Sequence, residues 1–145
     1  MRRDSRLSRM LHVLIHMDRH TARMTSDTIA QMLGTNPVVV RRTMAGLRQR
    51  GYVKSEKGHG GGWQLARPLA DVTLLDVYEA IGAPPLFAIG PSLDRPDCLV
   101  EQAVDEALDE TLRQAETMLR QRLGSVTVAD VAADFDSRVA NAQRN

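Results

Sequence analysis

The stretch "GTNPVVVRR", Gly34 to Arg42, sets polar, β-branched and basic side chains around one helix start. Side chains at the start of a helix that enters the major groove are those that reach base edges. Thr35, Asn36, Val38, Val39, Arg41 and Arg42 are the candidates here. An arginine can bind a phosphate or make a bidentate contact to guanine, the latter worth ~1–3 kcal/mol of discrimination. Val38 and Val39 could touch thymine methyl groups, and Val39 could equally lie in a core. Arg48, Arg50 and Lys54 follow as candidate phosphate contacts, which add affinity without reading sequence.

Two further groups could do chemistry. His12, His16 and His20 stand at i, i+4 and i+8, a spacing that can ligate a metal. No carboxylate or cysteine is recruited to that line, and it borders an apolar face. A packed or interfacial row of histidines is expected, with no metal and no cofactor. Cys98 is the single cysteine, which excludes an intrachain disulfide and a multi-cysteine metal site within one chain. It falls where a long helix is expected to begin. A helix N-terminus favours a thiolate and Arg95 adds to that, while Asp94 and Asp97 oppose it. The plainer reading is an inert small hydrophobe. The chain has no Ser/His/Asp arrangement, no paired-acid motif and no nucleotide loop, so an enzyme is not expected.

The elements that position these residues follow from periodicity and capping. Ser5 to His20 carries Leu7, Met10, Leu11, Leu14, Ile15 and Met17 at helical spacing. "TARMTSD" reads as a polar connection, and Ser26 as the cap of a short helix ended by Gly34. Asn36 suits an N-cap and Pro37 the first helical position. The third helix is expected from about Pro37 to Arg50, with Val40, Met44 and Leu47 as its buried line. Two short helices joined by "GTN" make a helix-turn-helix. "YVKS", "EKGHGG" and "GWQLA" then read as strand, turn and strand. No Gly-Lys-Ser/Thr follows the glycines, so they shape a hairpin rather than a phosphate loop. Trp63 and Leu65 alternate with Gln64 and Ala66, as in a half-buried strand. Lys54, Lys57 and His59 are left to project from it. Helix-turn-helix plus hairpin is a winged helix.

Beyond the hairpin, Thr73 caps "LLDVYEAIG" with Asp76 at capping-box spacing. "LFAIGPSLDRP" reads as an ordered loop. The longest helical pattern runs from Asp97 to Leu123. Its apolar stripe is Val104, Leu108, Leu112, Ala115, Leu119 and Leu123, and a second copy of the chain is the simplest partner for it. Thr127, with Asp130 three positions on, opens a last helix. The expected fold class is mainly α with a small β-hairpin: a winged helix-turn-helix with a following helix over 1–82, a loop over 83–96, and a helical dimerisation and sensor region over 97–145.

With 43% hydrophobic residues and only 3% aromatic among 145, the core must be aliphatic. Residues 1–68 carry 13 Lys/Arg and 4 Asp/Glu, net +9, whereas residues 69–145 carry 6 and 14, net −8. A basic front half suits a polyanion. A protein-interaction module working through the acidic half, without DNA, is the competing class. No stretch approaches the roughly 20 apolar residues of a membrane span. The N-terminus superficially resembles a signal peptide, but Arg9, His12, His16 and Asp18 interrupt it. A cytoplasmic protein is expected.

Taken together, "GYVKSEKGHGGGWQLAR", "VTLLDVYEAIG", "LHVLIHM", "GTNPVVVRR" and the long acidic helix resemble the Rrf-two group of bacterial winged-helix regulators. That group includes the IscR, NsrR and CymR repressors, and the resemblance covers most of residues 5–123. It implies homodimers on palindromic operator DNA, and a sensor in the loop before the long helix. It also implies a basic wing residue in the minor groove, matched by Lys57, with His59 either assisting at the tip or simply solvated. Relatives that bind an iron–sulfur cluster carry three cysteines in that loop. This chain has only Cys98 there, so a conventional cluster is not expected. Relatives with a lone cysteine near this position are thiol-based sensors, which makes Cys98 the redox candidate. A small molecule held by "PPLFAIGPSLDRP", with Cys98 a bystander, is the alternative effector.

Overall fold

The protein was analysed as a computed structural model, which describes residues 3–20, 22–92 and 94–144. Six helices and one hairpin follow in chain order: α1 (Arg6–Arg19), α2 (Ser26–Leu33), α3 (Pro37–Gln49), β1 (Val53–Glu56), β2 (Gly62–Leu65), α4 (Leu74–Ala80), α5 (Leu99–Ser125) and α6 (Val128–Ala142). A single 3₁₀ turn, Leu69–Asp71, lies between β2 and α4. The architecture is a winged helix, mainly α, with an antiparallel hairpin that pairs Val53 with Leu65 and Ser55 with Trp63.

Local chemistry starts most of these elements where the spacing predicts. Asn36 Oδ1 accepts from the Val39 amide at 3.1 Å, and Pro37 opens α3. Gly34 ends α2 in the left-handed conformation, φ +64°. Capping boxes open both α4 (Thr73 with Asp76) and α6 (Thr127 with Asp130). Boundaries differ from the sequence reading by one or two residues, most clearly at α2 and α5. Thr25, not Ser26, caps α2, accepting from the Thr28 amide at 3.1 Å. The pairing of Met24 with Trp63 holds the chain extended just before Thr25, so Ser26 becomes the first helical residue. α5 begins two residues later and ends two residues later than its periodicity suggests. Cys98 is extended and serves as the N-cap residue, and Gly124 stays helical beside Leu75.

One aliphatic core joins all the helices except α5. Val13, Leu14, Ile29, Val40, Met44, Leu47, Val53 and Val77 are fully buried, and Val128 and Ala132 of α6 belong to the same cluster. α6 reaches it because its start is sewn to the start of α4. The Leu74 amide donates to Val126 O at 2.9 Å, and the Val128 amide to Val72 O at 2.8 Å. α5 has no buried residue within the single chain.

The tightest contact lies between α3 and α4. A Cβ placed on Gly46 would fall 1.9 Å from the Ala80 carbonyl oxygen. A glycine inside a helix costs roughly 1 kcal/mol relative to alanine, so its presence here marks a backbone approach that no side chain permits. Gly46→Ala is therefore expected to destabilise the fold by about 1–3 kcal/mol, against the sign of helix propensity. Gly90→Ala, where nothing lies within 4 Å of the added methyl, should be near neutral. Urea denaturation of the two variants checks this.

Candidate nucleic-acid interface

The solvent face of α3 is built by subtraction. Val40, Met44 and Leu47 point into the core, which turns Val38, Arg41, Arg42 and Arg48 outward. Val38 is 55% and Val39 38% exposed, so neither valine is a core residue. Apolar side chains left in water at the start of a helix suit contact with something apolar, such as a thymine methyl. Asn36 is exposed; its cap bond uses one lone pair of Oδ1, which leaves the other lone pair and the amide nitrogen to meet a partner. Thr35 is half-buried, with its amide bonded to Ala30 O at 2.9 Å. Arg41 and Arg42 are exposed side chains on this face.

Arg41 and Arg48, seven residues apart, share one side of the helix, and Arg48 carries that side into the hairpin. Its Nη1 donates to Ser55 Oγ at 3.3 Å, and its guanidinium lies 5.8 Å from the centre of the Trp63 ring. It is a bracket between α3 and the wing as well as a surface cation. Arg50 closes α3 and lies 3.5 Å from Glu79, while Lys54 is exposed on β1. Lys57 and His59 are exposed at the hairpin turn.

The hairpin owes its shape to backbone approaches on both sides. Gly62 has φ +138°, and a Cβ there would meet Met24 O at 2.8 Å; at Gly61 it would meet Glu56 O at 2.3 Å. The first approach exists because Met24 adds itself to β2 as a one-residue third strand: its amide donates to Trp63 O at 3.0 Å, and the Trp63 amide donates back at 2.8 Å. The indole Nε1 donates to Ser26 Oγ at 3.0 Å. Arg23 clasps the turn, donating to Gly60 O at 3.2 Å and to Glu56 Oε1 at 2.6 Å. Sequence reasoning missed Arg23 and Ser26 in these roles. They sit in a connection without periodicity, and their partners are more than thirty residues away.

The other candidates lie elsewhere. Cys98 is exposed, and its amide donates to Arg95 O at 3.0 Å. The loop before it is tied to the first turns of α5: the Asp94 amide donates to Glu101, the Ser92 amide to Asp105, and Gln102 Nε2 to Pro96 O. Val104, Leu108, Ala115 and Leu119 are exposed along α5, and Leu112 is half-buried. His12 and His16 have ring centres 4.7 Å apart, and His16 and His20 6.1 Å. Burial, reinforced by its two histidine neighbours, holds His16 below the ordinary imidazole value. Among the described residues no helix is long and apolar enough to cross a membrane.

Comparison with known proteins bears on the whole of this arrangement. Residues 3–134 match the Rrf2 (Rrf-two) family, described as "Iron-dependent Transcriptional regulator". YwnA of Bacillus subtilis, described as an HTH-type transcriptional regulator, is 36% identical over 131 residues, covering 88% of this chain and 95% of YwnA. The crystal structure of a protein from Lactobacillus plantarum, also described as a transcriptional regulator, superposes with a TM-score of 0.78 at 28% identity, covering 97% of this chain and 95% of that one. The oxidised form of Staphylococcus aureus CymR shares the fold, with a TM-score of 0.65 at 16% identity over 91% of this chain and 96% of that one. The iron in the family description finds no fit in the residues of one chain. There is one cysteine, and among the described residues no group of three His, Cys, Asp or Glu side chains is placed to hold a metal ion.

Proposed function

This chain belongs to the Rrf2 family of DNA-binding transcription regulators, and we propose that it acts as a homodimeric repressor on a two-fold symmetric operator. The observation that carries this reading is the outward face of α3, where exposed valines and arginines adjoin a wing tipped by Lys57 and His59. Thr35, Asn36, Val38, Val39, Arg41 and Arg42 read the major groove, Lys57 enters the minor groove, and Arg48 and Lys54 meet phosphates. The protein works in the cytoplasm, carries no catalytic step of its own, and keeps the acidic half of the chain for self-association. The two α3 helices meet half-sites about one helical turn, ~34 Å, apart.

The dimer forms through α5. An amphipathic helix of 27 residues with no buried side chain in the single chain supports a second copy as its partner. The effector step is assigned to the loop 83–98. Cys98 is exposed, so a small disulfide can exchange with it to leave a mixed disulfide and one released thiol. A specific observation also favours the ligand alternative. A cavity of about 570 Å³ lies between the start of α1, Tyr78 and residues 84–88, with Leu7, Leu86 and Phe87 among its lining. That is within the size range of small-molecule sites.

Four outcomes test the reading. Binding to duplexes enriched from random DNA should weaken steeply with salt, by about 0.9 in log K per log salt for each phosphate contacted. In the same assay Arg42→Ala should cost ~1–3 kcal/mol on the preferred sequence if it reads a base. A salt-independent complex would overturn the proposal. Leu112→Asp with Leu119→Asp places charge in the apolar seam, and light scattering should then report a monomer. A stable dimer would put the interface elsewhere. Finally, a disulfide donor should weaken DNA binding by the wild type and not by Cys98→Ser. Equal responses, or none in either protein, would transfer the effector role to the cavity.

A further inference from the structure

Glu79 stands where three parts of the fold meet. It lies half-buried near the end of α4. Its Oε1 accepts from Arg120 Nη2 of α5 at 2.6 Å, and its Oε2 lies 3.5 Å from Nη1 of Arg50, the residue that closes α3. Arg120 is itself placed from two other sides. Its guanidinium lies 5.8 Å from the centre of the Tyr78 ring and 3.9 Å from Glu116 Oε1. Tyr78 is buried and donates its hydroxyl to the Pro84 carbonyl at the start of the loop that leads to α5. Among the described residues, these are the only ion pairs that join α4 to α3 or to α5.

We propose that Glu79 is a positioning residue for DNA recognition: by holding Arg50 and Arg120 with one carboxylate, it fixes the angle between the recognition helix and the long helix. In a dimer built on α5 that angle sets the separation of the two α3 helices, so the proposal rests on the dimeric-operator reading above. Ion pairs this exposed add little to stability, but two pairs on one carboxylate restrain direction. The lever is long. At 1.5 Å per residue α5 spans ~40 Å, so a tilt of ~5° at one end moves the other by ~3 Å, about one base-pair step. The contact of Gly46 with Ala80 holds α3 against α4 at one point, and the Arg50 pair adds a second that limits rotation about it. On the other side of the same carboxylate, Arg120 ties α4 to α5.

The experiment uses the full chain and duplexes enriched from random DNA by the wild type, remade with the half-site spacing lengthened or shortened by a base pair. The readout is the ratio of affinities between spacings, which a uniform loss of phosphate contacts leaves unchanged. Glu79→Gln should keep the dimer and the thermal midpoint, yet lower the preference for the best spacing about fivefold. Arg50→Ala and Arg120→Ala, each removing one arm, should do the same, and neither should add to Glu79→Gln. If Glu79→Gln fails to fold, the two arginine variants decide. An unchanged spacing preference, an equal loss at every spacing, or additive losses would overturn the proposal while leaving the operator reading intact. A wild type with no spacing optimum would overturn that reading and the proposal with it.

Discussion

Trp63 is the residue on which the winged helix-turn-helix depends. Its backbone pairs with Ser55 on one side and Met24 on the other, its indole N–H bonds Ser26, and Arg48 lies over its ring. Through these contacts one buried side chain joins the wing, the start of α2 and the end of α3. The arrangement explains the glycines beside it. Two strands of backbone approach β2 and its turn from opposite sides, and a Cβ at Gly61 or Gly62 would collide with carbonyl oxygens of Glu56 or Met24. The glycine run is thus a packing requirement of the hairpin: Gly62 makes room for Met24, and Gly61 for the hairpin's own strand at Glu56.

A second junction, at α4, ties that unit to the rest. α4 is only seven residues long, yet it touches α1, α3 and α5. Its start shares backbone hydrogen bonds with the start of α6, and its middle is buried at Val77 and Tyr78. A short helix of this kind has little stability alone, so its capping box and its neighbours hold it in place. It follows that α3, α4 and the origin of α6 behave as one packed body. α5, with no buried side chain, meets that body chiefly along α4.

The sequence carried the local part of this structure legibly. Asn36 with Pro37, Gly34, and the Thr-x-x-Asp pairs at Thr73 and Thr127 are chemical signals within one turn of the elements they delimit. The alternation around Trp63 and the stripe on α5 are periodic signals of the same short range. What stayed hidden depends on residues far apart. Nothing in "TARMTSD" says that Arg23 will clasp a turn more than thirty residues away, or that Thr25 rather than Ser26 will cap. Periodicity finds α6 but not its place beside α1 in the core, which the backbone bridge between Thr73 and Thr127 decides. The exposed face of α3 was legible for the same local reason. Its exposed valines follow from a buried line at Val40, Met44 and Leu47 that leaves them no room inside. Asn36 was read as both cap and contact, and the structure shows the first use narrowing the second.

The division of charge, +9 over residues 1–68 and −8 over residues 69–145, has a consequence that no single contact expresses. A molecule whose net charge is only +1 is drawn weakly to a polyanion as a whole. One with opposite charges in its two halves is also turned by the field as it approaches. Approach through the basic segment is favoured over approach through the acidic one. Productive orientation is then set before the surfaces meet, which raises the fraction of collisions that become complexes. The near-cancelled total keeps the chain from being held indiscriminately wherever negative charge is dense.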